Sequence, residues 1–427
     1  MRQIHYHQLV ALILAIVMLL FLSIINSSRS SVVSQGEATS NVMSSATSST
    51  RPPPTLPPPT PTNADIPSGW SAESIAILAL EQNSSVLYQV NANGENLQLL
   101  AGRDINPLHP SWSQDGSRIA FLRRLPGSNS DSSTHIALWI MNADGSNARS
   151  LVDNLDSVGN PQWTPDGEWI VFWGITESGY SIYRIRPDGF DLQEVVRIDD
   201  TTGLTFAFLP SVSPDGNWFG FIGSEDDISD APIYNYYLMD TNTNQITLLA
   251  ENILNDWDCN DCPHLLSYFI QGYSWMIWSP DSQYIGLLLA FGTEQPILEI
   301  RTVDGSFRER INGERSLYPM AWSPTGEWIA VRDANSDINI IRPDGSDFRS
   351  YVVPEFNIYN SFSAPFNTPK WSPDGEWLAF ITHPEDEELQ RSNGSLSFLS
   401  INESTIINIP LPYLGSELPP NTIYWLP

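Results

Sequence analysis

Short apolar runs separated by turn residues dominate the chain from about residue 70 to its end. In a representative stretch, Pro165, Asp166 and Gly167 are followed directly by Trp169 and the apolar run 170–172. Proline presets φ at the second position of a turn, and glycine at the fourth readily takes a left-handed φ. Each such stretch therefore predicts a β-hairpin, whose two strands are called A and B below.

This hairpin motif, Trp-Ser-Pro-Asp-Gly in its fullest form, recurs at intervals of about 50 residues, a period typical of propellers and solenoids. Its copies begin at Trp112, Trp163, Val212, Trp278, Trp322, Trp371 and Trp425. A second signature, Asp-Gly or Asn-Gly between apolar runs, alternates with the first and predicts a hairpin between strands C and D. Its copies, two of them degenerate, lie at Gly94, Gly145, Gly189, Asp240, Gly305, Gly345 and Asn402. We predict an all-β, seven-bladed β-propeller in which each blade is a four-stranded antiparallel sheet.

The two ends of the repeat region predict how the ring of blades closes. Residues 75–80 match strand B, whereas residues 422–425 match strand A. The last strand can therefore complete the first blade, which removes an open sheet edge. An alternative first strand A at residues 69–72 leaves the count of seven blades unchanged.

The N-terminal part of the sequence, residues 1–69, predicts an anchor and a spacer. Residues 8–26 contain an uncharged apolar run of about 18 residues, long enough to cross a bilayer, preceded by Arg2 in residues 1–7. We expect a cytoplasmic N-terminus and an uncleaved signal anchor; the alternative is a secreted protein whose signal peptide is cleaved. Residues 27–69 are rich in Ser, Thr and Pro, typical of a disordered spacer. The propeller, residues 70–427, would then lie outside the cytoplasm as a single-pass membrane protein.

Charge narrows the class of partner. The formal net charge is −29, from 49 acidic and 20 basic residues, and Lys370 is the single lysine. Nucleic acid is excluded as a partner because phosphate binding needs Lys and Arg. An acidic surface also keeps a protein soluble, so the charge does not name a partner by itself. We expect a monomeric head that binds an envelope or extracellular protein with a basic surface.

The unequal connections between strands predict which face carries function. The A–B and C–D turns are tight and nearly identical, so the long B–C and D–A connections share the opposite face, here called the long-loop face. Binding residues concentrate on irregular loops of rigid scaffolds, although loops also hold polar residues without any such role. His109 and His264 are predicted in D–A connections. The predicted binding residues of this face are His109, His135, His264, His383, Glu385, Asp386, Glu387 and Glu388.

Metal, redox and catalytic motifs give little signal. The histidine spacing matches no metal motif, and carboxylates that could hold Ca²⁺ lack the spaced Asp-x-Asp-x-Asp-Gly pattern. Cys259 and Cys262, the two cysteines of the chain, are expected to form a local disulfide. No Gly-x-Ser-x-Gly elbow, Walker loop or dinucleotide fingerprint is present in the sequence. We therefore predict no catalytic residue, no metal site and no cofactor.

The two signatures together resemble the WD40-like repeats of TolB-type β-propellers. Similar repeats occur in the propeller domains of prolyl oligopeptidase-like and dipeptidyl peptidase-like enzymes, and the resemblance covers roughly residues 70–427. It implies the fold and leaves two functions open. The favoured prediction is a non-enzymatic protein-binding or scaffold module that acts through its long-loop face. The alternative is a propeller hydrolase or lyase that acts on extracellular glycans or peptides, with residues converging from several blades.

Overall fold

The chain is described by a computed structural model over residues 73–81, 84–124, 136–152, 157–176, 179–197, 202–225, 234–254, 276–289, 297–304, 308–311, 318–332, 338–351, 369–382, 395–411 and 418–426. These residues belong to one compact unit, 63–124 together with 136–427. They form 28 β-strands in seven four-stranded sheets, which confirms the predicted all-β, seven-bladed propeller. In these ranges no helix is long and apolar enough to cross a membrane. The predicted anchor, 8–26, and spacer, 27–69, lie outside the described residues.

The blades follow one another along the chain. Blade 1 contains β1 (Ser74–Glu81), β2 (Ser84–Asn91) and β3 (Gln98–Ala101). Blade 2 contains β4 (Pro107–Trp112), β5 (Arg118–Arg124), β6 (Ile136–Asn142) and β7 (Arg149–Val152). Blade 3 contains β8 (Ser157–Trp163), β9 (Ile170–Thr176), β10 (Gly179–Ile185) and β11 (Gln193–Val196). Blade 4 contains β12 (Phe206–Val212), β13 (Trp218–Ser224), β14 (Tyr234–Asp240) and β15 (Ile246–Leu254).

The remaining blades repeat this arrangement. Blade 5 contains β16 (Met276–Trp278), β17 (Tyr284–Leu289), β18 (Ile297–Thr302) and β19 (Arg308–Ile311). Blade 6 contains β20 (Tyr318–Trp322), β21 (Ile329–Arg332), β22 (Ile338–Ile341) and β23 (Arg349–Tyr351). Blade 7 contains β24 (Lys370–Trp371), β25 (Trp377–Thr382), β26 (Ser395–Ser400) and β27 (Ile406–Pro410). The last strand, β28 (Leu418–Trp425), returns to blade 1.

The A–B turn is held by the serine and aspartate of its motif. In blade 4 the buried Ser213 hydroxyl donates to Asp215 Oδ1 at 2.6 Å and accepts the Trp218 N–H at 3.0 Å. Gly216 takes a φ of 73°, which a residue with a Cβ rarely adopts. The serine thus ties both ends of the turn together, which explains why serine or threonine recurs at this position in blades 2 to 7.

The strand β28 closes the ring as predicted. It pairs antiparallel with β1, placing Ile423 opposite Ile77 and Trp425 opposite Ile75. The Leu426 N–H donates to the Ser74 carbonyl at 3.0 Å, which extends this pairing past the end of the strand. Blade 1 is therefore built from both ends of the propeller sequence.

The core lies between the blades. Seven apolar clusters are present among the described residues, and each joins two neighbouring blades, the pair of blades 7 and 1 included. In the last pair, Ile77 and Ile423 of blade 1 pack with Phe398 of blade 7. The packing between blades 4 and 5 requires a glycine at position 220, because a Cβ there would lie 2.0 Å from Met276 Sδ of the next blade. Sheet faces that pack this closely form a rigid ring around a central space.

A central cavity as the candidate functional site

The innermost strands of all seven blades surround one cavity of about 690 Å³. This volume lies in the range typical of small-molecule sites. From strand A of the successive blades it is lined by Tyr424, Trp425, His109, Pro110, Ser111, Trp112, Pro161, Gln162, Leu209, Pro210, Ser211, Met276, Ala321, Trp322, Lys370 and Trp371. Phe221, Ile222 and Tyr236 of blade 4 complete one side.

The residue just before the first position of the hairpin motif lines this cavity in most blades. These residues are Ser111, Gln162, Ser211, Ala321, Lys370 and Tyr424. Their chemistry differs from blade to blade, whereas the motif that follows is nearly constant. The scaffold is thus repeated, and the cavity wall is not.

Hydrogen bonds between blades hold these wall positions in place. Trp163 Nε1 donates to the Ser111 carbonyl of the preceding blade at 2.9 Å, and Trp278 Nε1 donates to Ser211 Oγ at 3.0 Å. Where valine replaces the tryptophan, the Val212 N–H donates instead to Gln162 Oε1 at 3.1 Å. Three motif tryptophans, Trp163, Trp278 and Trp371, thus each hold a wall position of the preceding blade.

His109 lies within β4, not in a D–A connection as the sequence predicted. It precedes Pro110 and has a φ of 47°, and the β4–β5 register shifts between Leu108 and Ser111. A positive φ is uncommon for a residue with a Cβ and costs on the order of 1–3 kcal/mol. The sequence prediction failed because the bulge interrupts the apolar alternation inside the strand. The bulge places His109 at the cavity wall.

The cavity has two chemically different sides. The polar wall is contributed by blades 7, 1, 2 and 3 and contains Lys370, Tyr424, His109 and Gln162. The apolar wall is contributed by blades 4 to 6 and contains Leu209, Pro210, Phe221, Ile222, Met276, Ala321 and Trp322. Ser211 belongs to the same side, but its hydroxyl already accepts the Trp278 indole N–H. The site therefore presents polar groups to one part of a ligand and carbon to the other.

Enclosure changes the ionisation of the polar wall. Burial lowers the pKa of the Lys370 ammonium and the pKa of His109, because each charged form loses water. Burial likewise raises the pKa of Tyr424, so its phenol stays protonated and can donate a hydrogen bond. At neutral pH the wall thus offers a neutral imidazole and a protonated phenol beside the Lys370 side chain.

Three donors that line the cavity lack an acceptor among the described residues. Within the described ranges, no hydrogen bond or ion pair joins the Lys370 ammonium or the Tyr424 hydroxyl to another residue. The Trp112 ring lies against that of Tyr424, with centroids 5.2 Å apart, and the buried Trp112 Nε1 has no partner in the same ranges. Donors aimed into a cavity without acceptors indicate a ligand that carries acceptor atoms.

Of the predicted binding residues, the structure describes one, His109. His135, His264, His383 and the run 385–388 lie outside the described residues, as do Cys259 and Cys262. Among the residues it does describe, no group of three His, Cys, Asp or Glu could hold a metal ion. Sequence reasoning noted Lys370 as the single lysine but did not place it in a site. The signal that could have found it is its position directly before Trp371, which is the wall position of the other blades.

The curated proteins similar to this chain match only part of it. No protein-family model matches the sequence. A dipeptidyl-peptidase 5 of Porphyromonas endodontalis is 32% identical over 88 residues, 21% of this chain and 13% of that protein. The peptidase YuxL of Bacillus subtilis, itself uncharacterised, is 29% identical over 153 residues, 29% of this chain and 22% of that protein. The chain thus spans less than a quarter of the length of either curated relative.

Solved structures agree on the fold. A prolyl endopeptidase superposes with a TM-score of 0.54 at 10% identity, covering 83% of this chain and 50% of that one. An oligogalacturonate lyase of Vibrio parahaemolyticus superposes with a TM-score of 0.51 at 13% identity, covering 78% of this chain and 84% of that one. TolB of Acinetobacter baumannii superposes with a TM-score of 0.45 at 14% identity, covering 84% of this chain and 68% of that one. The seven sheets themselves make the protein a seven-bladed propeller. The prolyl endopeptidase and the lyase share its fold, and the similarity to TolB-like and peptidase-associated propellers is the one that the repeats predicted. At these identities the likeness concerns the fold alone.

Proposed function

We propose that the protein is a non-enzymatic binding module, tethered to a membrane with its propeller outside the cytoplasm, and that it holds its ligand in the central cavity. One observation carries this proposal: the wall positions differ from blade to blade, although the repeat around them is uniform. A repeat that served only to close a ring would need no such variation. Rigid scaffolds with a few individual polar groups in a concave site are typical of ligand recognition.

The described cavity reaches the side of the propeller that carries the A–B turns. Gln114, Pro324 and Pro373 belong to these turns and line the cavity. A ligand, or an extended segment of a partner protein, can therefore enter from that side. The long-loop face, including the acidic run 385–388, remains part of the proposal as a second surface, suited to a basic partner.

The enzymatic alternative, a hydrolase or lyase acting on extracellular glycans or peptides, is favoured by a different observation. His109, Lys370 and Tyr424 line the same cavity, and each can take or give a proton. The backbone strain at His109 is also of a kind that clusters at active sites. If the protein is such an enzyme, the ligand that enters the cavity is cleaved there and released as products.

Site-specific photo-cross-linking of the full-length protein in its native membrane tests these proposals. A photoreactive residue replaces Gln114 at the cavity, Glu327 in an A–B turn outside the cavity wall, or Glu385 in the acidic run. We expect an adduct from position 114 and none from position 327, with the captured ligand intact by mass spectrometry. A cleaved ligand at position 114 would favour the enzyme. Adducts from position 385 alone, or from none of the three, would contradict binding in the cavity.

A further inference from the structure

The polar wall of the cavity is an electrostatic exception in this protein. The chain carries a net charge of −29 and a single lysine, and that lysine lines a cavity whose other described wall residues are uncharged at neutral pH. Lys370 is half-buried. An ammonium partly withdrawn from water without a counter-charge is unfavourable, and an anion at that place would compensate it. The protein's own carboxylates do not supply this negative charge in the described ranges. The ion pairs found there join carboxylates to arginines and not to Lys370.

The neighbouring donors specify what kind of anion fits. The Tyr424 hydroxyl and the Lys370 ammonium both lack acceptors among the described residues, and they come from adjacent blades. A carboxylate accepts several hydrogen bonds through two oxygens and carries one charge, which one ammonium neutralises. A phosphate would bring about two charges against one lysine. The donor set therefore matches a carboxylate better than a phosphate.

The opposite side of the cavity specifies the rest of the ligand. The apolar wall from blades 4 to 6 offers aliphatic, aromatic and proline carbon. Its two hydroxyls already have protein partners: Ser211 accepts from Trp278, and Tyr236 donates to the Leu288 carbonyl. Burying apolar ligand surface there contributes about 25 cal/mol per Å². A fully polar anion would bury no apolar surface against this wall and would lose that contribution to binding.

We propose that the cavity binds an amphipathic carboxylic acid, with its carboxylate at the Lys370 ammonium and its apolar body against the wall from blades 4 to 6. This inference rests on the proposed binding function and names its ligand class. The carboxylate can belong to a small acid or to the C-terminus of a partner chain that enters from the A–B turn side.

The test compares acids with their amides on the full-length protein in detergent. Phenylpropionate and phenylpropanamide share one body and differ in charge, as do a tripeptide ending in phenylalanine and its C-terminally amidated form. Tryptophan fluorescence reports occupancy, because several tryptophans line the cavity. We expect each acid to bind about tenfold or more tightly than its amide, as one charged hydrogen bond requires. Preference for the tripeptide acid would identify a partner's C-terminus as the source. Equal binding of acid and amide, or tighter binding of inorganic phosphate, would overturn the proposal.

Two Lys370 variants separate charge from packing. Lys370→Met should abolish the preference for the acid while leaving amide binding unchanged, and Lys370→Arg should retain the preference. If Lys370→Met does not fold, chemical acetylation of the wild-type protein gives the same information. Lys370 is the single lysine, so mass spectrometry of the one peptide that contains it measures its acetylation. Phenylpropionate should protect Lys370 from acetic anhydride, whereas phenylpropanamide should not; equal protection would contradict the proposal. A cross-link at position 114 that persists in Lys370→Met would leave the binding function standing and remove only the carboxylate.

Discussion

At the scale of single residues, the A–B turn is held by a buried serine and an exposed aspartate. The Ser113 hydroxyl donates to Asp115 at 2.6 Å and accepts the Arg118 N–H at 3.0 Å, and the same arrangement recurs around the ring. In blade 6 a threonine takes the aspartate's place, and Ser323 Oγ lies 3.1 Å from Thr325 Oγ1. The turn therefore needs an oxygen acceptor at this position, but not a charge.

Because most A–B turns use an aspartate and blade 6 uses a threonine, the stability contributed by these turns should depend on pH to different extents. Hydrogen bonds from the Ser113 side chain and from Ser117 lower the pKa of Asp115 from 3.8 to about 2. Because the pKa is lower in the folded state, the contribution of Asp115 to stability is complete above pH 3.8 and is lost as the pH falls towards 2. We expect Asp115→Thr to lower the melting temperature at neutral pH and to reduce its decline in acid.

The reciprocal change, Thr325→Asp, is the matched control for this prediction. It introduces the carboxylate into the one described turn that lacks it, so the decline of the melting temperature in acid should become steeper. Thermal melts of the three proteins from neutral pH to pH 2 measure both effects. Parallel declines in all three would contradict the role assigned to this hydrogen bond.

Residues of the repeat could be predicted from the sequence, and most residues of the site could not. The motif residues repeat because every blade makes the same turn, so their pattern is visible along the chain. Lys370, Tyr424 and His109 are separated in sequence and meet only when the ring closes. His109 was identified as a binding candidate, but its place in a bulged strand depends on pairing with β5, which a sequence pattern does not record.

At the scale of the strand, β28 decides whether the ring is closed. It covers the edge of β1, and its Ile423 is almost fully buried between blades 1 and 7. The prediction of this closure from the sequence was confirmed because the two ends carry the complementary A-like and B-like halves of one hairpin. The other repeats supplied the comparison that made these halves recognisable.

Loss of β28 should destabilise the whole propeller. Removing residues 421–427 leaves β1 as an open edge and uncovers the interface with blade 7. We expect a marked fall in the melting temperature of the truncated protein. The single change Ile423→Ala should cost about 2–5 kcal/mol of unfolding free energy, as for other buried isoleucines. Ile407→Ala, at a partly buried position of the same cluster, should cost less. An unchanged melting temperature on truncation would disprove the closure's role.

At the scale of the whole molecule, the repeat period and the turn chemistry were enough to predict the number and composition of the blades. The sequence did not predict the cavity as the site, because its wall combines single residues from every blade. The sequence predicted binding at the long loops instead, because their irregularity is visible along the chain. The described cavity shows that irregularity in a propeller also occurs on the inside of a regular repeat.

The predicted membrane anchor is tested on the full-length protein in its native cell. We expect it to fractionate with membranes and to keep its N-terminus, because residues 8–26 are apolar over the width of a bilayer. Protease added from outside should digest the propeller or its spacer while residues 1–7 are protected. A mature protein in solution that begins near residue 27 to 35 would show instead that a signal peptide is cleaved.

The position of β1 also determines how the propeller bears mechanical load. Residues before Ser74 lead directly into β1, which is hydrogen-bonded to β2 on one side and to β28 on the other. Tension applied from the N-terminal side is thus shared by two ladders, one formed with the next strand in the sequence and one with the last. Because both ladders must shear together before β1 can leave, traction at this point does not peel the propeller apart one strand at a time.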